Sequence, residues 1–89
     1  MPDTDKLETD LGKLVDAFDN AHKKIMSSKT IVDFSKQAAG WGIAKNKVQS
    51  FLNGDGKVIA KGDPAKSWAK VVAKATTDYN DLEKKLKKG

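Results

Sequence analysis

Apolar residues recur at helical spacing in two long segments, one near each end of the chain. In the first segment they follow a three-four pattern that is typical of one helical stripe, at Leu7, Leu11, Leu14, Val15, Phe18, His22 and Ile25. Thr4 or Asp5 can cap its start, and the acidic residues of the first turn complement the helix dipole. The pattern predicts a helix over about residues 5–26.

The second long segment begins at Asp63-Pro64, a helix cap followed by proline at the first helical position. A near-heptad seam follows at Trp68, Val72, Ala75, Tyr79, Leu82 and Leu86, with lysines accumulating towards Gly89. The seam predicts a second long helix. It is long enough to pack a partner helix as well as its own core, so a homodimer through this C-terminal helix is a candidate assembly.

The centre of the chain predicts two shorter helices joined by a tight turn. Ser27-Ser28 ends the first long helix, and Gly40-Trp41-Gly42 indicates the turn, because glycine adopts backbone angles that other residues avoid. Short stripes lie on both sides of it: Ile31, Phe34 and Ala38 before, and Ile43, Val48, Phe51 and Leu52 after. Asn53-Gly54 is a typical helix stop, and residues 54–62 predict a loop with a short extended piece.

Composition excludes several classes of protein. With 89 residues, 38% of them apolar, the chain predicts a single helical domain over 1–89, and the lack of cysteine excludes disulfides and thiolate metal sites. No nucleophile–base pair, metal-ligand cluster or phosphate-binding glycine motif is present, so we expect no enzyme, no metal and no cofactor. The chain has no apolar run of membrane-spanning length and no secretory signal pattern. These absences predict a cytoplasmic protein that does not associate with a membrane.

The charge is divided unevenly along the chain. All 17 basic side chains are lysines, and the net charge is +5. Residues 1–20 hold six acidic side chains and two lysines, whereas the remaining residues hold 15 lysines and six acidic side chains. The larger part is therefore strongly cationic, which favours a polyanionic partner. The alternative is that the lysines only keep the helix surfaces soluble.

The central segment also meets the spacing of a helix-turn-helix. With Phe34 as the first position, Ala38 occupies the small fifth position and Gly42 the turn glycine at the ninth. Trp41 and Ile43 flank the turn, and Val48 and Phe51 then face inward. Residues 38–54, A-A-G-W-G-I-A-K-N-K-V-Q-S-F-L-N-G, resemble the helix-turn-helix of phage repressors of the lambda repressor and Cro type, and residues 65–73 resemble the next core helix of that fold.

The resemblance implies an all-α, lambda-repressor-like bundle of four to five helices with the helix-turn-helix at about 31–53. Its second helix, about residues 44–52, would enter the major groove of double-stranded DNA. The side chains implied to face the bases are Lys45, Asn46, Gln49 and Ser50, and Lys47 is implied to point towards the DNA backbone. Asparagine and glutamine amides can pair with adenine, and lysine can donate to guanine. The candidate phosphate contacts are Ser35, Asn53, Lys57 and Lys61.

Two functional hypotheses follow from these patterns. The first is a DNA-binding protein, either a small transcriptional regulator or an architectural DNA binder. The lack of arginine favours binding of phosphates over reading of sequence, because arginine supplies the commonest specific contact to guanine. The second is a non-enzymatic helical-bundle interaction module, such as an inhibitor, an immunity protein or a structural protein of the phage or plasmid type, with a lysine-rich solvating surface.

Overall fold

The computed structural model describes residues 3–88, and these form an all-helical bundle, as the sequence predicts. It has three long helices, α1 (Thr4–Met26), α2 (Ile31–Asn53) and α3 (Asp63–Lys88), with a short 3-10 helix, Lys57–Ile59, before α3. Within this range there are thus three long helices instead of the expected four or five. Met1 and Pro2, which open the segment without a signal pattern, and Gly89, which ends the predicted domain, lie outside the described residues.

Side-chain caps set the starts of the first two helices. The Asp3 carboxylate accepts a hydrogen bond from the backbone N–H of Lys6 at 3.1 Å, so α1 is capped by Asp3 and not by Thr4 or Asp5 as predicted. The Thr30 hydroxyl accepts from the backbone N–H of Asp33 at 3.1 Å in the same way. The ends predicted for α1 and α2 and the start predicted for α3 agree with the structure.

The tight turn predicted at Gly40-Trp41-Gly42 is wrong, because α2 passes through these residues without a break. Neither glycine has a positive φ, and both lie in helical backbone. Phe34, Trp41 and Val48 are buried and seven residues apart, so a continuous helix places all three on one face. Two helical glycines cost about 2 kcal/mol in total relative to alanine. Burying these three large side chains offsets that cost, since each contributes roughly 1.5–3 kcal/mol.

Each long helix contributes buried residues to the core at heptad or similar spacing: Leu11, Phe18 and Ile25 from α1, Phe34, Trp41 and Val48 from α2, and Trp68 and Ala75 from α3. The Phe18 ring lies at the centre, with its centroid 5.4 Å from that of Trp41 and 5.0 Å from that of Trp68. Tyr79 stacks on Trp41 at 4.4 Å. These contacts place α2 antiparallel to α1 and α3, and both tryptophans lie in the core.

The connection from α2 to α3 is compact. Gly56 is buried, and a side chain there would overlap the Phe51 ring, so the position requires glycine. Its backbone N–H donates to the carbonyl of Phe51 at 2.7 Å, which closes the end of α2. The predicted extended piece is instead the 3-10 helix, and its Ile59 is buried beneath the bundle.

Candidate interaction surfaces

The helix α2 carries a second row of residues opposite its buried face. We call this row the outer seam; its members are all exposed and are Val32, Lys36, Ala39, Ile43, Asn46 and Ser50. Val32 is 61% exposed and Ile43 57% exposed, which is high for large apolar side chains in a helix. The spacing is four then three residues throughout, the pattern of a helix that packs against another helix.

The outer seam is also poor in charge. Only four charged residues lie in α2, compared with nine in α1 and eleven in α3. Of these four, Lys36 is a member of the outer seam, and Asp33 and Lys47 flank it. Helices in water usually expose charged faces and bury their apolar residues, as α1 and α3 do here. The exposed face of α2 therefore carries little charge and combines the apolar residues Val32, Ala39 and Ile43 with the polar residues Lys36, Asn46 and Ser50.

A shallow groove of about 640 Å³ lies beside the outer seam, between α1 and the C-terminal half of α2. It is lined by Leu14, Ile43, Asn46, Lys47, Ser50, Phe51, Gly54 and Asp55. Four of these residues, at 43, 46, 47 and 50, follow the i, i+3, i+4, i+7 arrangement that forms a hole on a helix surface. Such a hole accepts one side chain from a neighbouring helix in knobs-into-holes packing.

The structure brings together some of the side chains predicted to contact DNA and separates others. Asn46, Lys47 and Ser50 meet at the groove, and Ser35 and Asn53 are exposed elsewhere on α2. Lys45 instead lies half-buried against the core, with its ammonium 5.5 Å from the centre of the Trp41 ring. Gln49 is exposed one turn further on, on the same side as Lys45. Because α2 is continuous, the part of the chain that the structure describes has no separate second helix of a helix-turn-helix.

Lys57 and Lys61 belong to a different surface, which begins in the loop and continues along α3. We call it the basic row: Lys57, Lys61, Lys66, Lys70 and Lys74, all exposed. Between Gly56 and Thr77 the only acidic residue is Asp63. Within residues 3–88, no member of the basic row is in an ion pair. Lys74 shares a shallow groove with Asp19 and Asp78, whereas the other four lysines line no groove with an acidic residue among the grooves described, so these four are the stronger candidates to attract an anion.

His22 joins all three helices near the centre of the bundle. The Trp41 indole N–H donates to His22 Nδ1 at 3.1 Å, and His22 Nε2 lies 3.5 Å from Asp78 Oδ2. The ring also stacks on Phe18 at 6.0 Å between centroids. A neutral imidazole with its proton on Nε2 satisfies both partners, since Nδ1 then accepts and Nε2 donates. His22 thus lies at the boundary of the core, and the described residues include no group of three or more histidine, aspartate or glutamate side chains that could hold a metal ion.

Tyr79 is the residue whose acid–base behaviour the fold changes. Burial raises the pKa of its phenol above the ordinary value of 10.0, and the nearby Glu83 carboxylate raises it further. Both causes disfavour the phenolate.

The seam of α3 that could pack a partner is largely used inside the bundle. Trp68 and Ala75 are buried in the core, and Leu82 and Leu86 are half-buried near its end. A second groove of about 490 Å³ lies there, lined by Lys29, Thr30, Ile31, Lys85 and Leu86. A homodimer through α3 would have only these last turns to use.

Sequence reasoning did not identify the outer seam, although its four-three spacing is visible in the printed sequence. The glycines indicate a turn that would divide this row between Ala39 and Ile43, and the predicted inward stripe groups Ile43 with Val48, although the structure exposes Ile43 and buries Val48. The contact of His22 with Trp41 and Asp78 has no sequence signal, because the three residues lie on three different helices.

None of the described helices is long and apolar enough to cross a membrane. Comparison with known proteins gives no match: no family model matches the chain, and no curated protein or solved structure is significantly similar to it.

Proposed function

We propose that this chain is a non-enzymatic protein-interaction module that docks a helix of another polypeptide along the outer seam of α2. The observation that carries the proposal is the exposure of Val32 and Ile43, 61% and 57%, on a helix that already buries its opposite face. Single exposed apolar residues are ordinary in soluble proteins. Here two of them lie on the same outer face of α2, eleven residues apart, and Ile43 borders an apolar groove, which is the arrangement of a helix-docking surface.

The groove supports this mode of recognition. Leu14 and Phe51 form an apolar floor beside Ile43, while Asn46, Lys47 and Ser50 supply polar groups at its edge. Interfaces commonly combine an apolar centre with a polar rim. An amphipathic helix that places one apolar side chain in this groove would bury exposed apolar area, while Lys47 and Asp55 at the groove could face polar groups of the docked helix.

The experiment is site-specific photo-crosslinking in cells that produce the chain naturally. A photoreactive amino acid at Ile43 should give discrete protein adducts. The matched control is the same amino acid at Val58, which is 60% exposed but lies outside α2. Equal adducts at both positions, or none at Ile43, would contradict the proposal, and adducts with nucleic acid would favour the second candidate below.

A second candidate is binding of double-stranded DNA through phosphates, and the basic row favours it. Five exposed lysines, with a single acidic residue among them in the sequence and with Asp19 and Asp78 beside Lys74 at one end, would supply a sequence-independent electrostatic surface. Lys57 and Lys61, for which the sequence predicts phosphate contacts, belong to this row, while Lys45, half-buried against Trp41, lies apart from Asn46, Lys47 and Ser50 at the groove. In that case the protein would act as an architectural DNA binder more than as a regulator that recognises a base sequence.

Titration of random duplex DNA at two salt concentrations tests this candidate. Replacing Lys66, Lys70 and Lys74 with glutamine should weaken binding and reduce its salt dependence by about three phosphate contacts. Replacing Lys84, Lys85 and Lys88 is the control with the same change of charge. Replacing Lys45 and Asn46 with alanine tests the predicted recognition role. Absence of binding at ~50 mM salt, where phosphate contacts are strongest, would exclude the candidate.

A further inference from the structure

We infer that the helix docked on the outer seam is the α2 helix of a second copy of this chain, packed antiparallel about a twofold axis that passes between Ala39 and Ile43. The inference rests on the proposed function, because it names the occupant of the same surface. Three features of α2 support it: the heptad layers, the placement of two glycines, and the placement of its charges.

The outer seam is self-complementary in the antiparallel direction. Its residues form two rows spaced by seven: Val32, Ala39 and Asn46, and Lys36, Ile43 and Ser50. In an antiparallel pair each row faces the other row of the partner. Ala39 then lies opposite the partner's Ile43, Val32 opposite the partner's Ser50, and Lys36 opposite the partner's Asn46. Each layer pairs a larger side chain with a smaller or polar one, so the layers can interdigitate.

The groove receives a specific side chain in this arrangement. The partner's Val32 lies opposite Ser50, over the part of the groove that Ser50, Phe51 and Gly54 line. By symmetry, Val32 enters the same groove of the partner. The two most exposed apolar residues of α2 are thereby covered at once, and each groove is filled once.

Two glycines flank the outer seam at the level of the proposed twofold axis. Gly40 follows Ala39 on one side, and Gly42 precedes Ile43 on the other. A Cβ atom at either position would meet nothing within 4 Å in the chain itself, so the packing of the bundle does not require glycine there. Each glycine nevertheless costs about 1 kcal/mol of helix stability. Small flanking residues allow two helices to approach closely, which a partner helix would use.

The charges beside the seam favour a second copy and set its direction. Asp33, Gly40 and Lys47 lie on the same flank, seven residues apart, so an antiparallel pair brings Asp33 close to the partner's Lys47, twice by symmetry. Neither residue is in an ion pair within residues 3–88. A parallel pair would instead place Lys36 opposite the partner's Lys36. The single acidic residue of α2 is thus positioned for an identical chain in the antiparallel orientation.

A contact along one helix is small, and it contains Lys36, Asn46 and Ser50 among its six seam residues. Such an interface belongs to the weak end of the range for specific assemblies. We therefore expect a reversible dimer whose population rises with protein concentration.

Sedimentation equilibrium over low micromolar to millimolar concentrations tests the inference. The unmodified chain should dimerise. Asp33→Lys and Lys47→Asp should each raise the dimer dissociation constant by about tenfold or more, because two ion pairs become repulsive. An equimolar mixture of the two variants should form a heterodimer, and the double variant should regain the original affinity. Circular dichroism confirms that each variant folds.

Ile43→Glu should abolish the dimer, and Val58→Glu is the control with the same change outside α2. A chain that stays monomeric throughout, or a dimer that withstands both charge reversals and Ile43→Glu, would overturn the inference. The result also separates it from the proposed function. A monomer that is photo-crosslinked at Ile43 to a different protein refutes the second copy and leaves the docking surface intact, whereas a monomer without such adducts refutes both.

Discussion

At the scale of single residues, one polar ring is accommodated within an aromatic cluster because its two nitrogens have partners. His22 accepts from the Trp41 indole and faces the Asp78 carboxylate, so its half-buried ring stacks on Phe18 without an unsatisfied group. A buried polar atom that loses its partner costs more than an ordinary hydrogen bond contributes. The packing of α1, α2 and α3 against one another therefore depends on the hydrogen bond from the Trp41 N–H as well as on contacts between the rings.

We expect Trp41→Phe to lower the free energy of unfolding by about 1 kcal/mol more than Trp68→Phe, because only Trp41 donates to His22. The two tryptophans are similarly buried, at 6% and 4% exposure, so the loss of ring volume is matched. Denaturant unfolding of both variants measures the difference. Equal losses of stability would mean that the bond to His22 contributes nothing.

Tyr79 should ionise above its ordinary pKa of 10.0, because burial and Glu83 both disfavour the phenolate. The unfolded chain ionises first, so this contribution to stability is fully present below the unfolded pKa and is lost as the pH rises through the folded pKa. Tyrosinate absorbance reports the group directly, since the chain has one tyrosine. Tyr79→Phe should reduce the alkaline loss of stability. An unshifted midpoint would contradict this account of the phenol's surroundings.

At the scale of helices, the sequence was sufficient for α1 and α3 and insufficient for α2. Asp63-Pro64 and Asn53-Gly54 are local signals, and both mark helix ends in the structure. Gly40-Trp41-Gly42 is also a local signal, but tertiary packing overrides it. Trp41 lies seven residues from both Phe34 and Val48, and only a continuous helix buries all three together. The prediction of a turn was wrong because glycine permits a turn without requiring one.

This account of α2 predicts that alanine is better than glycine within it. We expect Gly42→Ala and Gly40→Ala each to stabilise the monomer by roughly 0.5–1 kcal/mol, since the added Cβ meets open space and alanine favours helix. Unfolding is measured at low protein concentration, so that self-association does not contribute to the measured stability. Destabilisation at Gly42 would instead support the left-handed turn of a helix-turn-helix.

At the scale of the whole molecule, the described residues form a narrow rod whose Cα atoms extend 53 × 18 × 16 Å. A bundle of this width offers helix faces and shallow grooves for binding. The distribution of charge along the chain, acidic at its start and basic from Lys57 to Lys74, can be read from the sequence. The outer seam could not be separated from the core stripe, because both have heptad spacing and only the packed structure tells which row is covered.

Disulfide trapping of single-cysteine variants tests the antiparallel packing of α2 most directly, and the cysteine-free chain permits it. In the proposed dimer Gly40 lies beside the partner's Gly40, whereas Val32 and the partner's Val32 are separated by about 27 Å along the helices. We predict that Gly40→Cys forms a covalent dimer under mild oxidation and that Val32→Cys remains monomeric. Crosslinking of Val32→Cys as fast as Gly40→Cys, or of neither variant, would contradict the account.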